Sequence, residues 1–131
     1  MRLIIEEITY QSDTAVITGN TAIGTIKGIW KHEKPPVAGK EYHAELTISH
    51  LSELNIPHNE KSLPAVYLDD VAVIFKGLLE DMDDEVYFVR FDVDWLEMID
   101  MDEIASMKKI GDFLIFSADF HNIEIYPFTL Q

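Results

Sequence analysis

Several groups of side chains in this 131-residue chain combine types and spacings that could do chemistry. The most prominent is acidic. Glu80-Asp81-Met82-Asp83-Asp84-Glu85 is a nearly unbroken run of carboxylates, and a second concentration lies between Asp92 and Glu103. Like charges packed this closely repel one another and cost stability, so their retention serves either solubility or attraction of a cationic partner. Asp81, Asp83, Asp84 and Glu85, with Asp92 and Asp94, are therefore the candidate partner-binding residues.

A second group is basic and aromatic: Lys27, Trp30, Lys31, Lys34, Lys40 and Tyr42. Between positions 27 and 40 there are four lysines and one acid. Lysines on a strand rim neutralise phosphates and aromatic rings stack on bases, which makes this an alternative face for single-stranded nucleic acid or a small ligand. The competing account places Trp30 and Tyr42 in the core and assigns the lysines to protecting strand edges.

Two further constellations carry less. Glu41, His43 and Glu45 project from one side of an alternating segment, and such a row could ligate a divalent metal if another strand added a donor. Any wet strand face with these residues looks the same, so no metal or other cofactor is expected. His43 has no identifiable nucleophile to serve as general base, and the other histidines are His32, His50, His58 and His121. Arg90, Asp92 and Asp94 recur at period two, where the arginine could hold an anion while an aspartate acted as base. An exposed ion-pair ladder is the simpler outcome. Gly19 to Gly24 has the glycine spacing of a phosphate loop, but Thr25 stands where lysine is required. Asp92, Asp94 and Asp100 lack the glycine and terminal glutamate of a calcium loop. No nucleophile elbow, zinc-protease or dinucleotide motif occurs. A non-enzymatic protein is the expectation.

Composition bounds the rest. Ten Lys+Arg against 24 Asp+Glu leave −14, of which residues 62–131 carry −12 and residues 1–61 only −2. The acidic half would repel a phosphate backbone. With no cysteine, disulfides and thiolate chemistry are excluded. The chain is 47% hydrophobic, typical of a folded domain, and no apolar run approaches the roughly 20 residues of a membrane span. Glu6 and Glu7 interrupt Leu3-Ile4-Ile5, unlike a signal peptide, and a cytoplasmic location is expected.

Alternation sets the expected elements. Arg2 to Tyr10 and Thr14 to Thr18 read as strands, with Gly19-Asn20 as the turn into a long third strand, Thr21 to His32, bent or bulged at Gly24 and Gly28. Glu33 to Lys40 is a loop. Tyr42, Ala44, Leu46 and Ile48 then face inward along the cleanest strand. Ser49 to Ile56 reads as a helical turn stopping near Pro57, followed by polar loop to Pro64. Val71 to Glu80 and Val86 to Ile99 form a long hairpin around the acidic turn. Asp100 and Glu103 make a capping pattern for a helix of about ten residues ending at Gly111. Phe113 to Ala118 and His121 to Phe128 close the chain as a hairpin.

Seven or eight strands with one or two short helices specify a mainly β protein. Residues 1–131 are expected to form a single domain, a small antiparallel β-barrel of OB-like or Greek-key type, with a two-sheet sandwich as the alternative. The functional expectation is a stoichiometric inhibitor or immunity-type antidote whose acidic half docks a basic protein such as a nuclease toxin. Nucleic acid and membrane are not expected partners.

Overall fold

The structure, a computed structural model, describes residues 1–56 and 62–128. Its strands are β1 (Arg2–Gln11), β2 (Thr14–Thr21), β3 (Gly24–Trp30), β4 (Glu41–Ile48), β5 (Ser52–Glu53), β6 (Ala65–Asp69), β7 (Ala72–Met82), β8 (Val86–Asp92), β9 (Trp95–Asp100), β10 (Phe113–Asp119) and β11 (Ile123–Pro127). Helix among the described residues is confined to two 3-10 turns, Met101–Glu103 and Phe120–Asn122. The protein is mainly β and contains a closed barrel of five strands.

The barrel follows from which strands find partners. β1, β2 and β3 form an antiparallel meander, β4 pairs with β1, and β11 pairs antiparallel with β4. A parallel pairing of β11 with β3 closes the ring. The barrel is thus mixed, not purely antiparallel as the sequence suggested. β1 serves two neighbours because it bends. Its register shifts between Ile5 and Glu7, and the apolar phase moves there from Leu3 and Ile5 to Ile8. The bulge therefore lies at the Glu6-Glu7 doublet, not in the third strand.

β3 runs without a bulge, pairing evenly with β2 from Val16↔Ile29 to Thr21↔Gly24. Gly19 and Asn20 belong to β2, and the turn is Ala22-Ile23. The glycines mark close approaches. Gly24 has φ +142°, and a Cβ there would stand 1.7 Å from the Val66 carbonyl oxygen, where β6 joins β3 in parallel. A Cβ on Gly28 would meet the Ile123 carbonyl oxygen at 2.7 Å, where β11 docks.

Between β4 and β11 the chain builds a second set of strands. β7 is the spine: β10 lies along one edge, while β6 and then β8 share the other. β9 pairs with β8, and β5 pairs with β10. Val73, Phe75, Leu79, Tyr87, Val89, Phe91, Trp95 and Ile99 turn inward and join the barrel's Leu3, Ile5, Ile17, Ile26, Ala44 and Ile125 in one continuous core. Phe75 stacks on Phe116 with centroids 5.0 Å apart, and Phe91 lies 5.0 Å from Trp95. Burial of these large rings provides much of the hydrophobic driving force.

The chain departs from four local expectations. Ser52–Glu53 is a strand, because its edge is taken by β10; of the following loop, residues 57–61, including His58, lie outside the described residues. Val86 to Ile99 is two strands, broken at Val93-Asp94, and Val93 is exposed there. Asp100 makes no side-chain cap, and only Met101–Glu103 turns helically. Instead, Glu53 holds the following segment: its carboxylate accepts from the Ser106 N–H at 3.1 Å and from the Ser106 hydroxyl, and meets Lys108 Nζ at 3.1 Å. Burial alone would raise the Glu53 carboxyl, but the Ser106 and Lys108 donors outweigh it and hold it below the usual range. Finally, β10 and β11 do not pair with each other, since each is captured by a strand remote in sequence.

Candidate functional site

The acidic run occupies the tip of the β7–β8 hairpin. Asp81, Asp83, Asp84 and Glu85 are all exposed. Part of their role is local: Asp83 Oδ1 accepts from the Glu85 N–H at 2.8 Å and the Val86 N–H at 2.7 Å, and Asp81 Oδ1 accepts from the Met82 N–H at 2.9 Å. These bonds shape the turn and leave the charge facing solvent. Asp100 joins the tip through its pairing with Val86, and the Met101 N–H donates to the Glu85 carbonyl, which brings Asp102 and Glu103 alongside. Glu80, at the head of the run, pairs with Arg90, but among the described residues Asp81, Asp83, Asp84, Glu85, Asp100, Asp102 and Glu103 form no ion pair.

Asp92 and Asp94 are not part of this tip. They lie at the other end of β8, roughly 20 Å away at about 3.3 Å per residue. The six residues singled out in the sequence therefore form two separate acidic ends. Between them Arg90 is committed: its Nε and Nη2 donate to Glu80 at 3.2 and 3.0 Å, and Nη1 reaches the Asp92 and Val93 carbonyls at 3.4 and 3.3 Å. It staples β7, whose register against β8 shifts between Leu79 and Asp81, to the β8–β9 turn at Val93-Asp94, so the anion-holding reading of Arg90 with Asp92 and Asp94 has no free cation to use.

The basic–aromatic group also divides. Trp30 is buried, donates its indole N–H to the Lys34 carbonyl at 2.8 Å, and packs edge-on against Tyr42 at 4.9 Å. The Tyr42 hydroxyl accepts from the Val37 N–H at 3.1 Å, and Lys40 covers its ring. These residues hold the 31–40 loop around a hollow of about 300 Å³. Lys27 lies elsewhere, 4.3 Å over the Phe120 ring, and Lys31 pairs with Glu124 at 3.4 Å. Trp30, Lys34, Lys40 and Tyr42 thus stay together around the hollow, while Lys27 and Lys31 are drawn to other partners.

Glu41, His43 and Glu45 do share one face of β4, but Glu41 is bound to Arg2 at 2.7 Å. No group of three or more His, Asp or Glu among the described residues is arranged to hold a metal ion. His121 is hydrogen-bonded to Asp119 at 2.7 Å as part of the turn that Asp119 caps.

One concavity among the described residues extends beyond the groups discussed so far. A groove of about 600 Å³ runs between β4 and β9, lined by Met1, Ala44–Ile48, Arg90 and Asp94–Ile99. Glu97 lies in it. On β9 the inward phase is Trp95, Glu97, Ile99, so an acid occupies an apolar position. Its carboxylate accepts from the Trp95 indole N–H at 2.7 Å. Burial pushes its pKa up to about 7, with Glu45 adding to the rise and the Trp95 N–H and the N-terminal ammonium opposing it. The signal was present in the sequence as a carboxylate on the hydrophobic phase of a strand.

Comparison with protein-family models, with curated proteins and with solved structures finds no match to this chain.

Proposed function

We propose that this chain is a non-enzymatic acidic binding protein, a stoichiometric inhibitor or immunity-type antidote that docks a basic protein partner such as a nuclease toxin in the cytoplasm. One observation carries the reading: the β7–β8 tip gathers Asp81, Asp83, Asp84 and Glu85 beside Asp100, all exposed and none ion-paired among the described residues. Carboxylates left unneutralised on a projecting hairpin raise the local negative potential and steer a cationic surface toward it. The barrel order β1-β2-β3-β11-β4, closed by one parallel pair, supports an OB-like scaffold presenting that hairpin as an insertion.

The test is capture of partners on immobilised protein, run in parallel with the variant Asp81→Asn, Asp83→Asn, Asp84→Asn, Glu85→Gln. Asparagine keeps the turn-forming acceptors while removing charge. A strongly basic protein retained by the native chain and lost from the variant supports the reading. Equal capture by both, or capture only of neutral and acidic proteins, rejects it.

A further inference from the structure

The groove between β4 and β9 is walled by strand edges, not strand faces. Its lining takes consecutive residues from both strands, Ala44–Ile48 and Asp94–Ile99, so both side-chain phases border it. Backbone alternation agrees. The Met101 N–H bonds the Glu85 carbonyl, and the β8–β9 register is regular from there to Arg90↔Leu96. Residues 97 and 99 therefore bond to β8, while the N–H and C=O groups of Leu96 and Met98 point away from it. On β4, the Phe128 N–H bonds the His43 carbonyl and the Ser49 N–H bonds the Asn122 carbonyl. That phase gives Glu45 and Thr47 to β11 and turns the backbone groups of Leu46 and Ile48 to the other edge. β1 covers this edge only as far as Ala44, which exchanges two 2.9 Å bonds with Met1. Among the described residues, no strand pairing uses the outward groups of Leu46, Ile48, Leu96 or Met98.

We propose that this groove accepts an extended, basic peptide segment of the partner by β-strand addition between β4 and β9. The outward backbone groups of Leu46 and Ile48 on one strand and of Leu96 and Met98 on the other offer ladder partners to an inserted strand of four or five residues. Charge selects its sequence. Glu45, Asp94 and Glu97 line the groove, and its two cations are engaged, Met1 with the Ala44 carbonyl and Arg90 with Glu80. A lysine or arginine on the inserted strand reaches Glu97, whose only hydrogen-bond donor in the described structure is the Trp95 indole. The inference deepens the reading of an acidic protein that docks a basic partner, and it adds a second contact distinct from the β7–β8 tip.

The probe is a fluorescein-labelled six-residue peptide of alternating valine and lysine, followed by fluorescence polarisation. Controls are the valine–glutamate counterpart and the valine–lysine peptide N-methylated at alternate amides. The native chain should bind the first and lose roughly ten-fold or more with either control, because each removes charge pairing or ladder bonds. Met98→Pro removes an outward N–H without breaking a β8–β9 bond, which an edge strand tolerates. It should abolish binding while leaving the circular dichroism spectrum unchanged. Glu97→Gln, which keeps the acceptor for Trp95, should weaken binding roughly ten-fold through loss of one charge-assisted contact. The four-fold tip variant separates the two readings. Peptide binding that survives in it but fails in Met98→Pro supports the groove. Binding lost only in the tip variant overturns the groove and leaves tip docking intact. Unchanged affinity for the N-methylated peptide also overturns it, as does concentration-dependent dimerisation that Met98→Pro removes, since a second copy would then occupy the groove.

Discussion

Replacing Glu97 by glutamine should make the protein more stable at pH 8 and leave its stability nearly unchanged at pH 4. The carboxyl sits on the inward phase of β9, and burial raises its pKa from 4.5 to about 7. Between those values the native protein holds a proton that the unfolded chain has released. Unfolding then releases protons, so stability falls as pH rises through this window and the penalty is complete above about 7. At about 1.4 kcal/mol per unit, the cost of ionised Glu97 is about 3 kcal/mol. Glutamine carries no charge and still offers an oxygen to the Trp95 indole, so Glu97→Gln escapes the penalty. With urea slopes of about 1–3 kcal/mol per molar, the midpoint of the variant should exceed the native one by about 1–3 M at pH 8. At pH 4 the two curves should nearly coincide. The nearby Met1 ammonium works in the opposite sense, as it favours the carboxylate. If that attraction dominated, the variant would be the less stable protein at pH 8, and the burial argument would be refuted. A midpoint difference that does not vary with pH would refute it too.

Three other substitutions test how the fold is held. Gly24→Ala forces a Cβ to within 1.7 Å of the Val66 carbonyl at a φ of +142°, so backbone must move where β3 meets β6. A loss of about 3 kcal/mol or more is expected in urea unfolding, and a neutral result would contradict the close approach. Gly77→Ala sets a methyl 2.4 Å from Val89 Cγ1 and 2.8 Å from Phe91 Cε1 in the core, which should cost about 1–3 kcal/mol in thermal or urea unfolding. Glu53→Ala releases Ser106 and Lys108 and should cost about 2 kcal/mol at neutral pH, with faster hydrogen exchange across residues 104–110. Because the native Glu53 carboxyl titrates below its ordinary 4.5, this stabilisation is present above about pH 4.5 and fades as pH falls through the lower native value. The difference between native and variant should shrink accordingly.

The barrel was legible where alternation is local. Arg2 to Tyr10 and Tyr42 to Ile48 each announced a strand, and the structure places them so, whereas the arm from Val86 keeps a buried row only through Tyr87, Val89 and Phe91 before Val93 turns outward. Failures came where a distant partner decides. The segment after Asp100 has the end signals of a helix, yet Asp100 is held extended by Val86, and Glu53 ties down Ser106 and Lys108. Phe113 to Phe128 looked like a hairpin because its arms adjoin in sequence, but β7 claims one arm and β4 with β3 the other. The glycines of β2 and β3 suggested turns and bulges; they are the points where Leu3, Val66 and Ile123 come too near for a Cβ. At the candidate site, the acidic turn was visible as charge density, whereas its separation from Asp92 and Asp94 required the length of β8. The groove was not legible at all, since an unpaired edge is defined by the strands that fail to reach it.

The measurement that bears most directly on the acidic docking claim is the association rate of the captured basic partner as a function of ionic strength. Steering by the β7–β8 tip predicts a rate for the native chain that falls steeply with added salt, and a slower, flatter dependence for the variant with Asp81, Asp83, Asp84 and Glu85 neutralised. Rates that are equal for the two proteins and indifferent to salt would contradict it.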